Sequence, residues 1–450
     1  MTVTKEPNRR LQEAIAEAEW TYDALASAIR RIAAENGEIL RTNKSAVAHW
    51  IDGARPSGQT GQYIAEALSR RMGRPVSLTE IGLIAAEDPM AADIDPVRAA
   101  TNLGRADVER RHFLAVATFT AAGVAMPLSY DHEPVSRLLR ARTGTVLVGT
   151  EEIDVVRQIT SVFSAADERL GGGHGLTTVT AYLADTAAPM LNARFPNEQI
   201  RRQAFGAVAE LAYLAGWKHH DLGQEGAAQR YYQVGYQLAY EADPRGHASW
   251  MMRALAQQAL SMKQPHHCVA LIQEALIRSR GALDGQTEAL LHITHARAHA
   301  ASAEKTAAAH ALLAAENALT RQGEPQAGFS LVSGPAAGTV VSHTARTLSD
   351  LADHGGAQRQ HRTALIRWDA EKYKRVHILT YADLGDSLAA QNRTDEAVAT
   401  WRKAVDLMEG VSSDRTRQAL ASIRSSLTIY RRRGVPGATE LDQRVRDALV

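Results

Sequence analysis

Apolar residues recur three and four positions apart along the first 80 residues, which is the spacing of one helix face. The pattern predicts four short helices, over the strings RRLQEAIAEA, YDALASAIRRIAAE, KSAVAHWIDG and QYIAEALSRRMG. Thr21 is the expected N-cap of the second helix, and Thr42 or Asn43 that of the third. In the third helix Val47 and Trp50 face inward, with Trp50 as a core anchor rather than a surface contact.

The helical pattern weakens between residues 84 and 150, which we interpret as a linker. Residues 84–105 are acidic, Ala-rich and interrupted by prolines, so we expect at most one turn of helix there. Residues 113–128 are apolar and predict a buried connector helix, too short to cross a bilayer. The twin arginines at 110 and 111 resemble an export signal, but they lie more than a hundred residues into the chain. The linker separates a domain at 1–83 from one at 151–450.

From about residue 151 the chain repeats. The small residues that open the second helix of each predicted pair are separated by 42, 39, 48 and 40 positions: Ala228, Ala270, Ala309, Ala357 and Ala397. Gly216 with Tyr232, and Gly385 with Trp401, pair a small residue with a ring that fills the gap between helices. Trp217 and Trp250 are expected in the core as well. The spacing is that of tetratricopeptide helix pairs, lengthened beyond the usual repeat.

Composition supports an all-α class, because 45% of the 450 residues are hydrophobic and only 5% aromatic. The single cysteine, Cys268, excludes an internal disulfide framework and fits a cytoplasmic protein. The net charge is only +1, so affinity for nucleic acid has to come from a local patch. Residues 26–75 provide one, with eight Lys or Arg against four Asp or Glu.

Short helices, tight turns and this local charge predict a helix-turn-helix DNA-binding domain, in which a helix with small or polar outward residues enters the major groove. The residues expected nearest the bases are Asn43, Lys44, Ser45 and His49. The residues expected on phosphates are Arg41, Arg55, Arg70 and Arg71. Because so few phosphate contacts bind weakly, we expect a homodimer on double-stranded DNA.

The segment resembles the lambda-repressor-like (Xre) helix-turn-helix family in its Leu25-Ala26 pair and in the string WIDGARP, although the link between the two motif helices is longer than usual. Residues 10–430 resemble actinobacterial regulators that join such a domain to tetratricopeptide repeats, through DERLGGGHG, AYLADTAAPML and ELAYLAGWKHHDLGQEGAAQRYYQVGYQLAYEAD. More distantly the chain looks like peptide-pheromone receptors. The resemblance implies a cytoplasmic transcription factor, here expected to be a repressor, whose repeat superhelix senses a small molecule, peptide or protein.

Two further motifs are candidates for a metal site or a phosphate-binding loop. His292, His295 and His299 share one helix face, which indicates a groove-lining polar face more than a metal site, since the next acidic residue is Glu304. The loop RLGGGHGLTT, residues 169–178, lacks the Lys-Ser/Thr of a phosphate loop, so we interpret it as a hinge against another backbone. We expect no cofactor, no metal, no membrane contact and no enzyme activity. A repeat scaffold without specific DNA binding, or a relative acting on a response-regulator phosphoryl group, remains the alternative.

Overall fold

The protein is almost wholly helical. The structure, a computed structural model, describes residues 7–35, 38–72, 74, 76–78, 80–83, 95–108, 119–129, 146–321 and 325–449. Apart from an isolated parallel bridge between Leu147 and Arg194, these residues form no strand. The all-α class is therefore confirmed for the described part of the chain. No helix in that part combines the length and the hydropathy that crossing a bilayer requires.

Four helices form a head, defined here as residues 7–83: α1 Arg9–Glu17, α2 Tyr22–Glu35, α3 Lys44–Ile51 and α4 Thr60–Met72. All four are predicted by the apolar spacing and are confirmed. Thr21 Oγ1 accepts the N–H of Ala24 at 3.2 Å, and Asn43 Oδ1 accepts that of Ala46 at 3.0 Å. Both helices thus begin at side-chain caps, which satisfy N–H groups that have no partner inside the helix.

In the described residues between the head and residue 150 there are two helices. They are α5 Pro96–Val108 and α6 Ala121–Ser129. The first is far longer than the single turn expected, because Pro96 occupies the first helical position, where a missing N–H costs nothing. Asp95 Oδ1 caps it by accepting the N–H of Val97 at 3.0 Å. The expected connector helix 113–128 is described only from Phe119, which is buried, and its first six residues lie outside the described residues.

The rest of the chain is an array of helices, residues 150–449. Apart from the short segments Leu183–Ala187, Ala188–Met190 and Gly328–Leu331, its described members are α7 Thr150–Leu170, α8 Leu176–Tyr182, α9 Glu198–Asp221, α10 Glu225–Ala242, α11 His247–Ser261, α12 Pro265–Arg278, α13 Gly285–Ala301, α14 Lys305–Thr320, α15 Ala336–Asp350, α16 His354–Arg367, α17 Lys374–Ala390, α18 Thr394–Asp406, α19 Asp414–Arg432 and α20 Ala438–Leu449. From α9 onward consecutive helices pack in pairs, so the predicted repeat-like pairing is confirmed.

The five pairs from α9/α10 to α17/α18 share one turn. Three residues join the helices of each pair, and the middle one has a left-handed backbone, with φ between 58° and 72°. These middle residues are Gly223, Lys263, Ala303, Ala352 and Asn392. The next residue donates its N–H to the carbonyl five positions earlier, which satisfies a helix-end carbonyl in the manner of a Schellman cap. The turn gives the repeat a structural register.

That register corrects two predicted repeat positions. Ala270 and Ala309 are exposed, whereas Cys268 and Ala308 are fully buried four positions into their helices, as Ala228, Ala357 and Ala397 are in theirs. Counting alanines misplaced the repeat because a cysteine, which packs as a small apolar residue, occupies the position in α12.

The small-residue and ring pairs behave as predicted. A Cβ added at Gly216 would lie 2.7 Å from the Tyr232 ring, and one at Gly385 would overlap the Trp401 ring. Both rings are buried, as is Trp250. Trp217 is an exception, because it is only partly buried.

The array closes on itself through the glycine-rich loop between α7 and α8. Ser412, just before α19, donates its N–H to the Leu170 carbonyl at 2.8 Å and accepts the N–H of Gly173 at 3.1 Å. A Cβ at Gly171 or Gly173 would collide with Ser412. The prediction that this loop passes against another backbone is confirmed, and the contact joins the first helices of the array to the last.

Candidate nucleic-acid interface and central cavity

Helix α3 has one buried and one exposed face. Val47 and Trp50 are buried in the core of the head, as predicted. Lys44, Ser45 and His49 are exposed on the other side. The head thus presents a short polar surface beginning at the N-terminus of α3, where the peptide N–H groups point outward.

The chain that enters α3 is held by Arg30 of α2. Its guanidinium donates one hydrogen bond to the Thr42 carbonyl and another to Ser27 Oγ at 2.9 Å. Thr42 itself is buried. Because Asn43 then caps α3, the orientation of the exposed face is fixed by contacts on both sides of the helix start.

The four arginines expected on phosphates differ in their surroundings. Arg41 and Arg55 are exposed on either side of α3. Arg71 Nε donates to the Ala18 carbonyl at the end of α1 at 3.0 Å. Arg70 Nε lies 2.7 Å from Glu66 Oε1, whose side chain is fully buried. The last two therefore take part in contacts within the head.

Glu66 also connects the head to the array. Gln264, in the turn between α11 and α12, donates from Nε2 to Glu66 Oε1 at 2.8 Å. The two bodies enclose a cleft of about 370 Å³, which Arg70, Lys263 and His266 line among others. The surface of α3 that carries Lys44 and Ser45 stays exposed in this docked arrangement.

A buried charge network holds the closed array together. Asp167 of α7 lies with Oδ1 3.2 Å from Lys218 Nζ and with Oδ2 2.8 Å from Arg375 Nη1. Trp217 Nε1 donates to the same Oδ2 at 3.0 Å. Asp221 adds a contact to Arg375 at 3.4 Å. Burial alone would lower the pKa of the Arg375 guanidinium, but the surrounding carboxylates, Asp167 foremost, raise it above its ordinary value.

Two adjoining cavities occupy the centre of the array. The inner cavity, about 100 Å³, is lined from α7, α9, α11, α15, α16, α17 and α19, so almost every pair reaches it. The outer cavity, about 870 Å³, lies beside it. Arg346, Leu379, Asp383 and Arg415 line both, which makes the two spaces neighbours. Four arginines but only two acidic residues line the inner cavity: Arg253, Arg346, Arg375, Arg415, Glu168 and Asp383.

Two guanidiniums beside the inner cavity have no ion-pair partner among the described residues. Arg253 is 1% exposed, and its Nε donates to the Leu290 carbonyl at 2.9 Å, but its Nη1 has no hydrogen-bond partner. Arg297 of α13 likewise has an unpartnered Nε. Burial lowers the pKa of each guanidinium to about 10. Burying a charge without a partner is unfavourable, so these two groups mark the place where an anion would be stabilised.

Two histidines, His343 and His361, line the inner cavity, and the pKa of each is lowered. Burial, followed by the nearby arginines, with Arg297 first, holds the pKa of His343 well below its ordinary value. Burial lowers the pKa of His361 to about 4. His343 Nδ1 and His361 Nε2 have no hydrogen-bond partner. Both rings are therefore neutral at physiological pH, and each has a buried nitrogen without a hydrogen-bond partner.

The three histidines singled out on α13 form a separate cluster. His299 lies with Nδ1 2.5 Å from Glu304 Oε2 and with Nε2 2.9 Å from His295 Nε2. His292 Nε2 lies 3.4 Å from Glu288, an acidic residue one turn before it that sequence reasoning overlooked. None of the three histidines lines the two central cavities, and at about 100° per residue they lie about 140° to 160° around α13 from Arg297.

Arg253, which lines the inner cavity, and Arg297, which lies near it, were missed from the sequence. Their only signal is a charged residue within a strongly apolar or Ala-rich string, SWMMRALAQ and HARAHA. A pattern of this kind does not say whether a carboxylate from another helix meets the charge.

The head is the part of the chain that matches a known family. Residues 11–84 match the model of the SP15 N-terminal domain, and this match covers α1 to α4. No curated protein matches the chain.

Proposed function

We propose that the chain is a DNA-binding transcriptional regulator, expected to repress, in which the head binds double-stranded DNA as a helix-turn-helix domain and the array, a closed tetratricopeptide-type superhelix, senses an effector. The observation that carries the proposal is the exposed polar face at the N-terminus of α3, backed by a buried Trp50. Recognition helices contact base edges with residues near their N-termini, and this face has the small and polar side chains that a groove about 12 Å wide admits.

Within this proposal Lys44, Ser45 and His49 lie nearest the bases. Asn43 has its Oδ1 engaged in capping α3, so its amide nitrogen is the atom left to reach a base. Arg41 and Arg55 contact the phosphates on either side of the groove. Arg70 and Arg71 already make contacts inside the head. Each contributes to phosphate binding only where it exchanges that contact for one to the DNA.

A single head with these contacts binds DNA weakly at physiological salt, so the regulator acts as a homodimer on an inverted repeat. The contact between Glu66 and Gln264 supports a route by which the array influences the head. An effector that shifts the turn between α11 and α12 changes the position of α4, and with it the distance between the two heads of a dimer.

The test replaces the exposed face of α3 without touching its core. Lys44→Ala with Ser45→Ala should abolish sequence-specific DNA binding in a mobility-shift titration and leave the thermal midpoint unchanged, because both side chains are exposed. Lys305→Ala is the matched control, since Lys305 is an exposed lysine at the first position of α14. DNA affinity that survives the double substitution would rule out α3 as the recognition helix.

The phosphate contacts have their own signature. Arg41→Ala and Arg55→Ala should each weaken binding to every sequence alike and reduce the slope of log affinity against log salt by about 0.9. A slope that neither substitution changes would remove both arginines from the interface.

A further inference from the structure

We infer that the inner cavity binds the anionic group of a small molecule, a phosphate or carboxylate, with Arg253 as its principal partner. As an account of the effector, this inference rests on the proposed function. As a binding site it stands on the geometry of the array alone.

Arg253 is placed as a ligand-binding arginine would be. Its Nε is anchored by the Leu290 carbonyl and by Thr294 Oγ1 at 3.0 Å, and its guanidinium lies over the Trp250 ring at 4.6 Å. Arg253 lines the cavity, and these contacts fix the plane of its guanidinium while its buried Nη1 has no hydrogen-bond partner. A guanidinium held in one plane presents its N–H groups in the geometry that carboxylates and phosphates accept.

The other arginines of the cavity are already engaged. Arg375 is paired with Asp167, and Arg346 Nε lies 2.7 Å from Asp383 Oδ2. Arg415 Nη1 lies 4.0 Å from Asp221 Oδ1. Arg253 has no carboxylate partner among the described residues, and neither has Arg297 behind it. The positive charge left uncompensated is thus concentrated on one side of the inner cavity.

The dimensions favour a small molecule over a peptide or a protein segment. The inner cavity of about 100 Å³ accommodates one oxyanion, and His361, whose Nε2 has no hydrogen-bond partner, also lines it. The adjoining 870 Å³ accommodates the rest of a ligand of ordinary size. Arg346 and Asp383 line both cavities. They therefore lie where the anionic group in the inner cavity would connect to the rest of the ligand in the outer cavity.

The experiment uses the full chain and inorganic pyrophosphate as the probe, titrated calorimetrically at constant ionic strength without DNA. Wild-type protein should bind it saturably, and Arg253→Met should weaken binding at least tenfold. Arg367→Met, which removes an exposed arginine at the end of α16, should change the dissociation constant less than twofold. Equal affinity in the two variants, or no saturable binding to wild-type protein, would overturn the inference.

A second measurement needs no variant, since losing a buried side chain can impair folding. Wild-type crystals soaked in sodium bromide should show an anomalous peak in the inner cavity within hydrogen-bonding distance of the Arg253 guanidinium. Bromide found at the protein surface only would overturn the inference. Neither measurement contains DNA, so a failure here leaves the DNA-binding proposal standing, and a chain that binds no DNA can still pass both.

Discussion

Replacing Asp167 by Asn tests whether the buried charge network closes the array. Asp167 and its partners Lys218 and Arg375 have side chains no more than 2% exposed. The substitution removes the charge and turns an N–H donor toward a cation, while Lys218 keeps only the His174 carbonyl, at 2.9 Å. Removing one partner from a buried ion pair costs about 3–5 kcal/mol, because the remaining charges stay buried.

For a cooperative unit of about 300 residues this loss lowers the thermal midpoint by about 5 to 8 °C. The midpoint is measured by circular dichroism at pH 7. Asp154→Asn is the matched control on the same helix, since the Asp154 side chain is 54% exposed and lies 4.0 Å from Arg157. It should change the midpoint by less than about 2 °C, as expected of a surface pair. Equal midpoints for the two variants would show that the network contributes nothing to closure.

Three smaller changes test the repeat geometry and the buried histidines, each followed by denaturant unfolding. Gly385→Ala should destabilise the protein by about 1–3 kcal/mol, because the new methyl group overlaps the Trp401 ring; an unchanged midpoint would mean that these helices are not so close. Ala303→Gly should stabilise it by roughly 1 kcal/mol, because Ala303 has φ 60° and glycine adopts that conformation without strain; a loss of stability would contradict the shared turn. Burial lowers the pKa of His247 in the folded protein to about 3, so below pH 6.5 only the unfolded chain takes up its proton and stability falls as the pH decreases. His247→Phe should therefore remove about 2 kcal/mol of the loss between pH 7 and pH 5, whereas His310→Phe, on an exposed side chain, should not; identical pH profiles would refute the assignment.

Local patterns were sufficient for the helices of the head and their caps, but not for α5. Apolar spacing predicted the four helices of the head, and Thr21 caps α2 as expected. The pairing of Gly385 with Trp401 was predicted because both partners lie within one helix pair. The repeat register was missed at Ala309, since the alanine-rich helix α14 offers several equivalent small residues and only the left-handed turn residue identifies the right one.

Contacts between residues that are far apart in the chain could not be predicted from the sequence. Arg375 and Asp167 are more than two hundred residues apart in the sequence, and the residues around either one do not indicate that they pair. Arg253 appears as an ordinary charged residue until the neighbouring helices are seen to bring no carboxylate to it. The histidines of α13 were attributed to a groove from their shared face, but His295 and His299 contact each other and neither is among the residues that line the two central cavities.

Selection from a random pool of duplex DNA by the purified full-length protein tests the central proposal most directly. A dimeric regulator with α3 as its recognition helix should enrich one inverted repeat, with half-sites whole helical turns apart, about 10 base pairs or a multiple of it. The Lys44→Ala, Ser45→Ala protein should enrich nothing from the same pool. Retained duplexes that share no sequence, or equal enrichment by the two proteins, would contradict the proposal and favour a scaffold whose head contacts another protein.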